Sequence, residues 1–186
     1  MRGSRPLLPI LLVLGIAAFS LWSNLSRPAR PRFPAAPNFV LPDLSGKVVK
    51  MQDLRGKVVL LNLWATWCPP CVEEMPTLQL LEKKMAGRDF VLLAVSEDEQ
   101  PAAVAPWIAE RGFTFPVLLD DRGQVGADLG ITGYPETFVV DRQGRVVHHH
   151  VGYRNWSDPE IVAALERLMD TGEWRLAPRA AAAIAR

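Results

Sequence analysis

Cysteine is scarce in this chain, with only 2 in 186 residues. One pair cannot build a disulfide framework, and by itself it cannot complete a four-cysteine zinc site. An excess of either charge is also lacking, since 21 basic side chains face 20 acidic ones and the net charge is +1. That balance excludes the cationic surface that nucleic-acid binding requires. The two cysteines must therefore act as a single pair in a near-neutral chain.

The hydrophobic content of 49% excludes a wholly disordered chain, and the length suggests one domain. Residues 6–22 form an uncharged run that two arginines precede, and as a helix it would span roughly 25 Å. A cleaved signal peptide and a buried soluble helix are the competing interpretations. The run ends in a tryptophan, and a leucine and several arginines follow it, where a cleavage site needs small residues. We therefore predict a signal-anchor transmembrane helix in residues 1–25.

Four prolines make residues 26–37 an extended tether, and the folded domain is expected over residues 38–172, with an Ala-rich tail at 173–186. Arginines on both sides of the anchor leave its orientation open. The domain opens with two short strands around a turn, and hydrophobic periodicity then predicts an α/β fold with a central sheet and helices on both faces. The predicted strands are 58–64, 90–95, 115–119, 136–140 and 145–151, and the predicted helices are 69–85, 102–111, 124–129 and 158–170.

The two cysteines stand in the motif Cys68-Pro-Pro-Cys71, directly after a buried strand and at the start of a helix. Side chains three residues apart on a helix share one face, within reach of a disulfide. The helix start favours a thiolate at Cys68, and a thiolate is the attacking species in thiol chemistry. Cys71, one turn further on, should be more buried, which suits a resolving thiol. Trp67 offers a flat contact for a partner chain.

Two other uses of the cysteines are less favoured. A structural disulfide between residues three apart closes too small a loop to stabilise much. A metal site would need the cysteines and members of the run His148 to His150. Side chains alternate along a strand, so at most His148 and His150 share a face. The ordinary interpretation of this run is a partly exposed strand without a ligand, and we predict neither a metal nor a cofactor.

Two segments together resemble a known family. Residues 58–76 (VVLLNLWATWCPPCVEEMP) and residues 128–152 (DLGITGYPETFVVDRQGRVVHHHVG) are similar to the active-site and cis-proline segments of thioredoxin-fold proteins. Within that fold they resemble the membrane-tethered TlpA/ResA/CcmG (DsbE) branch of bacterial thiol-disulfide oxidoreductases. The DLG and PET triplets favour the cytochrome c maturation members, and CVEEMP favours TlpA and ResA. The resemblance covers about residues 37 to 170.

The resemblance implies a thioredoxin-like three-layer sandwich with an N-terminal β-hairpin extension, and it assigns roles to particular residues. Cys68 corresponds to the nucleophile and Cys71 to the resolving thiol. Pro135 corresponds to the cis-proline beside the cysteines, and X-Pro is the one common site for a cis bond. Such a bond would leave the backbone of Tyr134 free to hydrogen-bond a substrate strand.

One position departs from thioredoxin itself, in which a buried aspartate lies six residues before the first cysteine. Asn62 stands there and cannot exchange a proton. In ResA-like members a glutamate six residues after that cysteine is implicated instead, and Glu74 occupies this position. In a low-dielectric pocket its pKa would rise, and it could exchange a proton with Cys71. Alternatively, Glu73 and Glu74 are first-turn acids that suit the helix dipole.

These observations predict a protein thiol-disulfide oxidoreductase whose redox-active centre is the Cys68–Cys71 pair. The resemblance implies a reductant in the cytoplasmic (inner) membrane, with its domain facing the periplasm and a thiol donor of the CcdA/DsbD type. It also implies apocytochrome c or an oxidase subunit as substrate. The alternative function is a copper-binding chaperone for oxidase assembly. The chain lacks the cysteine motif expected of a peroxidase of this fold. The direction of electron flow depends on reduction potentials, which the sequence does not give.

Overall fold

The computed structural model describes residues 35–176. Its first structured unit is a small antiparallel hairpin, in which β1 (Val40–Pro42) pairs with β2 (Val48–Lys50) around the predicted turn. A 3₁₀ helix at Met51–Leu54 then leads to the main sheet. The remaining elements are β3 (Val58–Trp64), α1 (Pro69–Lys84), β4 (Phe90–Ser96), α2 (Val104–Arg111), β5 (Val117–Leu119), α3 (Gln124–Leu129), β6 (Glu136–Val140), β7 (Val146–Val151) and α4 (Pro159–Thr171).

The main sheet has five strands in the order β5-β4-β3-β6-β7. Strand β3 pairs parallel with β4, which pairs parallel with β5, whereas β6 and β7 join antiparallel. This mixed sheet confirms the α/β architecture that the sequence predicts. The central strand β3 is buried along its whole length, which explains its nearly unbroken apolar sequence.

Two hydrophobic clusters cover the two faces of this sheet. Alternate side chains of β3, such as Leu60 and Trp64, pack with α1, α2 and α4. The intervening ones, such as Leu61, pack with Phe39 near the hairpin and with Val125 of α3. Burial on both faces leaves the ends of the strands as the places where functional side chains can reach solvent. The end of β3 carries the cysteine motif.

Two predicted boundaries differ from the structure by two residues, and the other helix and main-sheet boundaries by no more than one. The helix expected from residue 102 begins as a 3₁₀ turn at Pro101–Ala103 and becomes α-helical at Val104. The strand expected from residue 115 begins at Val117. Pro116 accepts a hydrogen bond from the backbone N–H of Ala94, but it has no N–H of its own with which to extend the ladder.

Both ends of the described chain contact the domain. Near the first end, the N–H of Ala36 donates to the carbonyl of Gly144. Near the other, Trp174 stacks on His148 with ring centroids 4.9 Å apart. No helix within residues 35–176 is long and apolar enough to cross a membrane. The predicted anchor in residues 1–25 lies outside the described residues.

Candidate active site

The loop between β3 and α1 holds the cysteine pair. Cys68 has extended backbone angles and caps α1, while Cys71 lies in its first turn. The two form a disulfide with their Cα atoms 5.3 Å apart, and the backbone N–H of Cys71 donates to Sγ of Cys68 at 3.3 Å. Cys68 is 4% exposed and Cys71 is fully buried. The cap position therefore gives Cys68 both the better access and a donor that stabilises negative charge on its sulfur.

Pro69 and Pro70 are the first two residues of α1. Neither has a backbone N–H, and the first N–H groups of a helix lack partners within it. Prolines therefore cost this helix no hydrogen bond, and their fixed φ favours its start. The two prolines between the cysteines thus favour a helix that begins directly after Cys68.

A second loop faces the motif loop. The Tyr134–Pro135 peptide bond is cis, as the resemblance implies, and β6 begins at the next residue. The ring of Tyr134 meets the ring of Trp67 edge to face, with centroids 5.6 Å apart. Trp67 is 64% exposed, more than any other large apolar side chain in residues 35–176. The fold thus brings together the two loops that the sequence singles out.

Glu74 is buried on the second turn of α1, with 1% of its surface exposed. Its Oε1 accepts from the side-chain amide of Asn62 at 2.6 Å. Its Oε2 accepts from the indole N–H of Trp156 at 3.2 Å and from the backbone N–H of Arg154 at 3.3 Å. Burial raises the pKa of Glu74 to about 7, and the three donors partly offset that rise. The alternative view of Glu74 as a first-turn acid that suits the helix dipole does not fit this buried position in the second turn.

Comparison with known proteins agrees with this geometry. The sequence model of the Redoxin family matches residues 34–165. The chain belongs to the Redoxin family. It is 33% identical over 157 residues to the thiol-disulfide oxidoreductase ResA of Bacillus anthracis, covering 82% of this chain and 91% of the relative. It is 34% identical over 147 residues to the thioredoxin-like protein YneN of Bacillus subtilis, covering 77% and 86% respectively.

A solved structure extends the likeness to the fold. The crystal structure of a thioredoxin-family thiol:disulfide interchange protein from Chlorobium tepidum superposes with a TM-score of 0.65 at 33% identity. The match covers 75% of this chain and 99% of the other. The Redoxin-family chain therefore has a thioredoxin-like fold and is a thiol-disulfide oxidoreductase, with Cys68 and Cys71 as its CxxC pair.

Two carboxylates of this Redoxin-family site were missed by the sequence analysis. Asp98 lies just beyond β4 and accepts hydrogen bonds from the backbone N–H and the hydroxyl of Thr66, the latter at 2.6 Å. Glu97, beside it, accepts from the hydroxyl of Tyr134 at 2.6 Å. Burial raises the pKa of Glu97, and its hydrogen bonds oppose that rise. Their position offers a signal, because the carboxyl ends of adjacent parallel strands such as β3 and β4 meet at one edge of a sheet.

The histidine run on β7 alternates as predicted. His148 and His150 share one face with ring centroids 6.5 Å apart, and His149 lies on the other face, 2.6 Å from Oε2 of Glu136. Burial lowers the pKa of His148 to about 4, with smaller contributions from nearby Arg154 and the other two histidines. Within the described part of this Redoxin-family chain, no group of three or more His, Cys, Asp or Glu side chains is arranged to hold a metal ion.

Proposed function

We propose that this oxidoreductase is a reductant of protein disulfides on the outer side of the cytoplasmic membrane. In this proposal, residues 1–25 form a single-pass anchor, residues 26–37 form a tether, and residues 38–172 form a periplasmic redox domain followed by a tail at 173–186. The uncharged run at residues 6–22 and the resemblance to membrane-tethered oxidoreductases support the arrangement.

The reaction is a two-electron exchange between dithiol and disulfide. The Cys68 thiolate attacks one sulfur of the substrate disulfide, whose S–S bond breaks and releases the other sulfur as a thiolate. Cys71 then loses its proton and attacks Sγ of Cys68, which frees the second substrate sulfur. Protonation of the two released thiolates completes the reaction. The substrate gains two electrons and two protons, and the chain ends as the Cys68–Cys71 disulfide.

Glu74 is the group that we assign to proton exchange with Cys71. A pKa of about 7 means that both its protonated and its ionised forms are populated near neutral pH. A general acid–base works best when its pKa lies close to the operating pH. Asn62 cannot take this role, because its amide neither gains nor loses a proton in this pH range.

We assign substrate docking to the two facing loops. Trp67 offers an exposed aromatic surface beside Cys68, and Tyr134 meets it from the other loop. An extended substrate segment would pair with the backbone of Tyr134 next to Pro135, and main-chain hydrogen bonds would carry this recognition without a particular sequence. The DLG and PET triplets support apocytochrome c as the substrate, and the family resemblance also implies a cytochrome oxidase subunit. A membrane thiol donor of the CcdA/DsbD type would return the two electrons, and no cofactor beyond the dithiol is required.

The observation that carries this proposal is the pair of cysteines at the start of α1, with the backbone N–H of Cys71 directed at Sγ of Cys68. Thiol trapping in intact cells tests it. A pair found largely reduced outside the membrane supports a dedicated reductant, and a fully oxidised pair contradicts that direction of electron flow.

A covalent trap identifies the substrate. The Cys71→Ser variant lacks the resolving thiol, so it should accumulate a mixed disulfide through Cys68 that mass spectrometry can identify. The matched control is Cys68→Ser, which keeps one cysteine but loses the attacking sulfur and should trap far less. Equal trapping by the two variants, or none by either, would contradict the assigned roles.

A further inference from the structure

We propose that Glu97 is a positioning residue that holds Tyr134 against Trp67 and so fixes the aromatic surface on which a substrate segment docks. The inference rests on the docking role proposed for these two aromatic side chains. It adds a residue whose carboxylate hydrogen-bonds Gly126 and Tyr134, and which acts through the hydroxyl of Tyr134.

The carboxylate of Glu97 is itself firmly held. Glu97 follows directly on β4 and is 8% exposed. Its backbone N–H donates to the carbonyl of Trp64 at the end of β3, at 3.0 Å. One carboxylate oxygen, Oε1, accepts from the backbone N–H of Gly126 on α3 at 2.7 Å. The other oxygen accepts from the hydroxyl of Tyr134 at 2.6 Å. Hydrogen bonds to the sheet and to α3 thus hold the Glu97 carboxylate in place, and this carboxylate in turn holds the ring of Tyr134.

At position 97, a carboxylate satisfies the neighbouring hydrogen-bond donors better than a side-chain amide would. Two donors, the hydroxyl of Tyr134 and the N–H of Gly126, approach the two oxygens of Glu97. A glutamine offers one oxygen and one NH₂ group, so it can accept from only one of them in the same orientation. Charge-assisted hydrogen bonds are also shorter and stronger than neutral ones.

The neighbouring carboxylate holds the opposite loop. Asp98 accepts from the backbone and the side chain of Thr66, the residue before Trp67. It also accepts from the hydroxyl of Ser96 at 2.7 Å. The last residue of β4 and the two residues after it therefore connect the Trp67 loop on one side with the Tyr134 loop on the other. The separation of the two aromatic rings follows from this one segment, because the segment is hydrogen-bonded to both loops.

The test compares a peptide substrate with a small disulfide. The reduced full-length chain, purified in detergent, is mixed with a synthetic peptide that carries one Cys-Xaa-Xaa-Cys disulfide, or with bis(2-hydroxyethyl) disulfide. Glu97→Gln should raise KM for the peptide about tenfold, the effect of one charge-assisted hydrogen bond, and change kcat by less than about twofold. Its rate with the small disulfide should change by less than about twofold. Tyr134→Phe should raise the peptide KM similarly, and the double variant should be no worse than either single one.

Glu99→Gln is the matched control. Glu99 is exposed in the same segment, so its substitution removes the same charge without touching the hydroxyl of Tyr134. An equal rise in KM with Glu99→Gln would assign the effect to charge and overturn the inference. An equal loss of rate by Glu97→Gln with both disulfides would also overturn it, because the redox centre itself would then be disturbed.

A second measurement needs no substrate. The indole N–H resonance of Trp67 senses the ring of Tyr134, so Glu97→Gln should shift it and Glu99→Gln should not. An unshifted resonance in Glu97→Gln would overturn the inference. If the wild-type chain reduced no peptide at all, the proposed reductant function would fail, and this resonance would still decide whether Glu97 holds Tyr134.

Discussion

The side-chain amide of Asn62 donates a 2.6 Å hydrogen bond to Glu74, and the same nitrogen donates to the hydroxyl of Thr137 at 2.9 Å. The three side chains are buried and belong to β3, α1 and β6. The asparagine thus connects the centre of the sheet to the helix that begins at the redox pair. Asn62 cannot exchange a proton itself, but it hydrogen-bonds Glu74, which can. This hydrogen bond helps to set the pKa of the Glu74 carboxyl.

The buried carboxyl should make stability depend on pH. The pKa of Glu74 is about 7 in the folded chain, against an ordinary value of 4.5. The stability that Glu74 contributes is therefore full below about pH 4.5 and is lost as pH rises through 7. Relative to Glu74→Gln, wild type should lose about 3 kcal/mol over this window. Urea denaturation of both oxidised proteins at several pH values measures the difference, and parallel pH profiles would contradict it.

Removing the amide donor should raise the pKa of Glu74 further. Asn62→Leu keeps a similar volume but leaves Oε1 without its 2.6 Å donor, so the ionised form loses a stabilising contact. A ¹³C NMR titration of the Glu74 carboxyl measures the shift. Thr137→Val is the matched control, because it removes the acceptor on the other side of Asn62 and leaves all three donors to Glu74. An unchanged titration in Asn62→Leu would show that this hydrogen bond does not set the pKa.

The sequence predicted those parts of the fold and site that depend on local chemistry. The cap position of Cys68 follows from a strand, a CxxC motif and two prolines, and β3 follows from its unbroken apolar run. The sequence also singled out Glu74 and Pro135, both through the resemblance to thioredoxin-fold oxidoreductases. These signals lie within a few residues of the feature they predict.

The contacts that complete the site join residues far apart in the chain. The indole of Trp156 reaches Glu74, and the carboxylate of Glu97 reaches Tyr134. Neither pair has a local pattern, because the contacts exist only after α1, the loop before α4 and the end of β4 have packed together. One boundary error has a local cause instead, since Pro116 has no N–H with which to extend a ladder that an apolar run alone would predict.

The cysteines of the reduced protein should differ in reactivity. Sγ of Cys68 accepts the N–H of Cys71 at the helix start, whereas Cys71 is fully buried one turn inside. Limiting iodoacetamide at pH 7 should therefore alkylate Cys68 at least about tenfold faster, since thiolate character and access both favour it. Peptide mass spectrometry gives the ratio. Denatured protein is the control, in which the two rates should converge, and equal rates in the folded protein would contradict the prediction.

A glycine next to Glu97 should not tolerate alanine. Gly126 lies within α3, where alanine ordinarily stabilises a helix by about 1 kcal/mol. An added Cβ would lie 2.6 Å from one carboxylate oxygen of Glu97 and 2.7 Å from Ile131. We expect Gly126→Ala to lower the free energy of unfolding by about 1–3 kcal/mol. Gly133→Ala is the matched control, because a Cβ there meets nothing within 4 Å. A Gly126→Ala variant as stable as wild type in urea would contradict the expected clash.

Protonation of His148 should lower the free energy of unfolding in mild acid. Its ring stacks on Trp174, and its Nε2 atom is buried without a hydrogen-bond partner among the described residues. Burial lowers the pKa of His148 to about 4 from an ordinary 6.5, so its stabilising contribution is full above pH 6.5 and is lost as pH falls through 4.

His148→Phe keeps an aromatic ring against Trp174 but cannot be protonated. Between pH 7 and pH 4, wild type should lose about 2 kcal/mol relative to this variant, a value reduced for partial solvent screening. Urea denaturation at the two pH values measures the loss. The comparison at pH 8, where His148 is neutral in both states, separates packing from protonation. Because Glu74 titrates identically in both proteins, its opposite pH dependence cancels, and equal slopes would mean that His148 does not remain neutral in the folded chain.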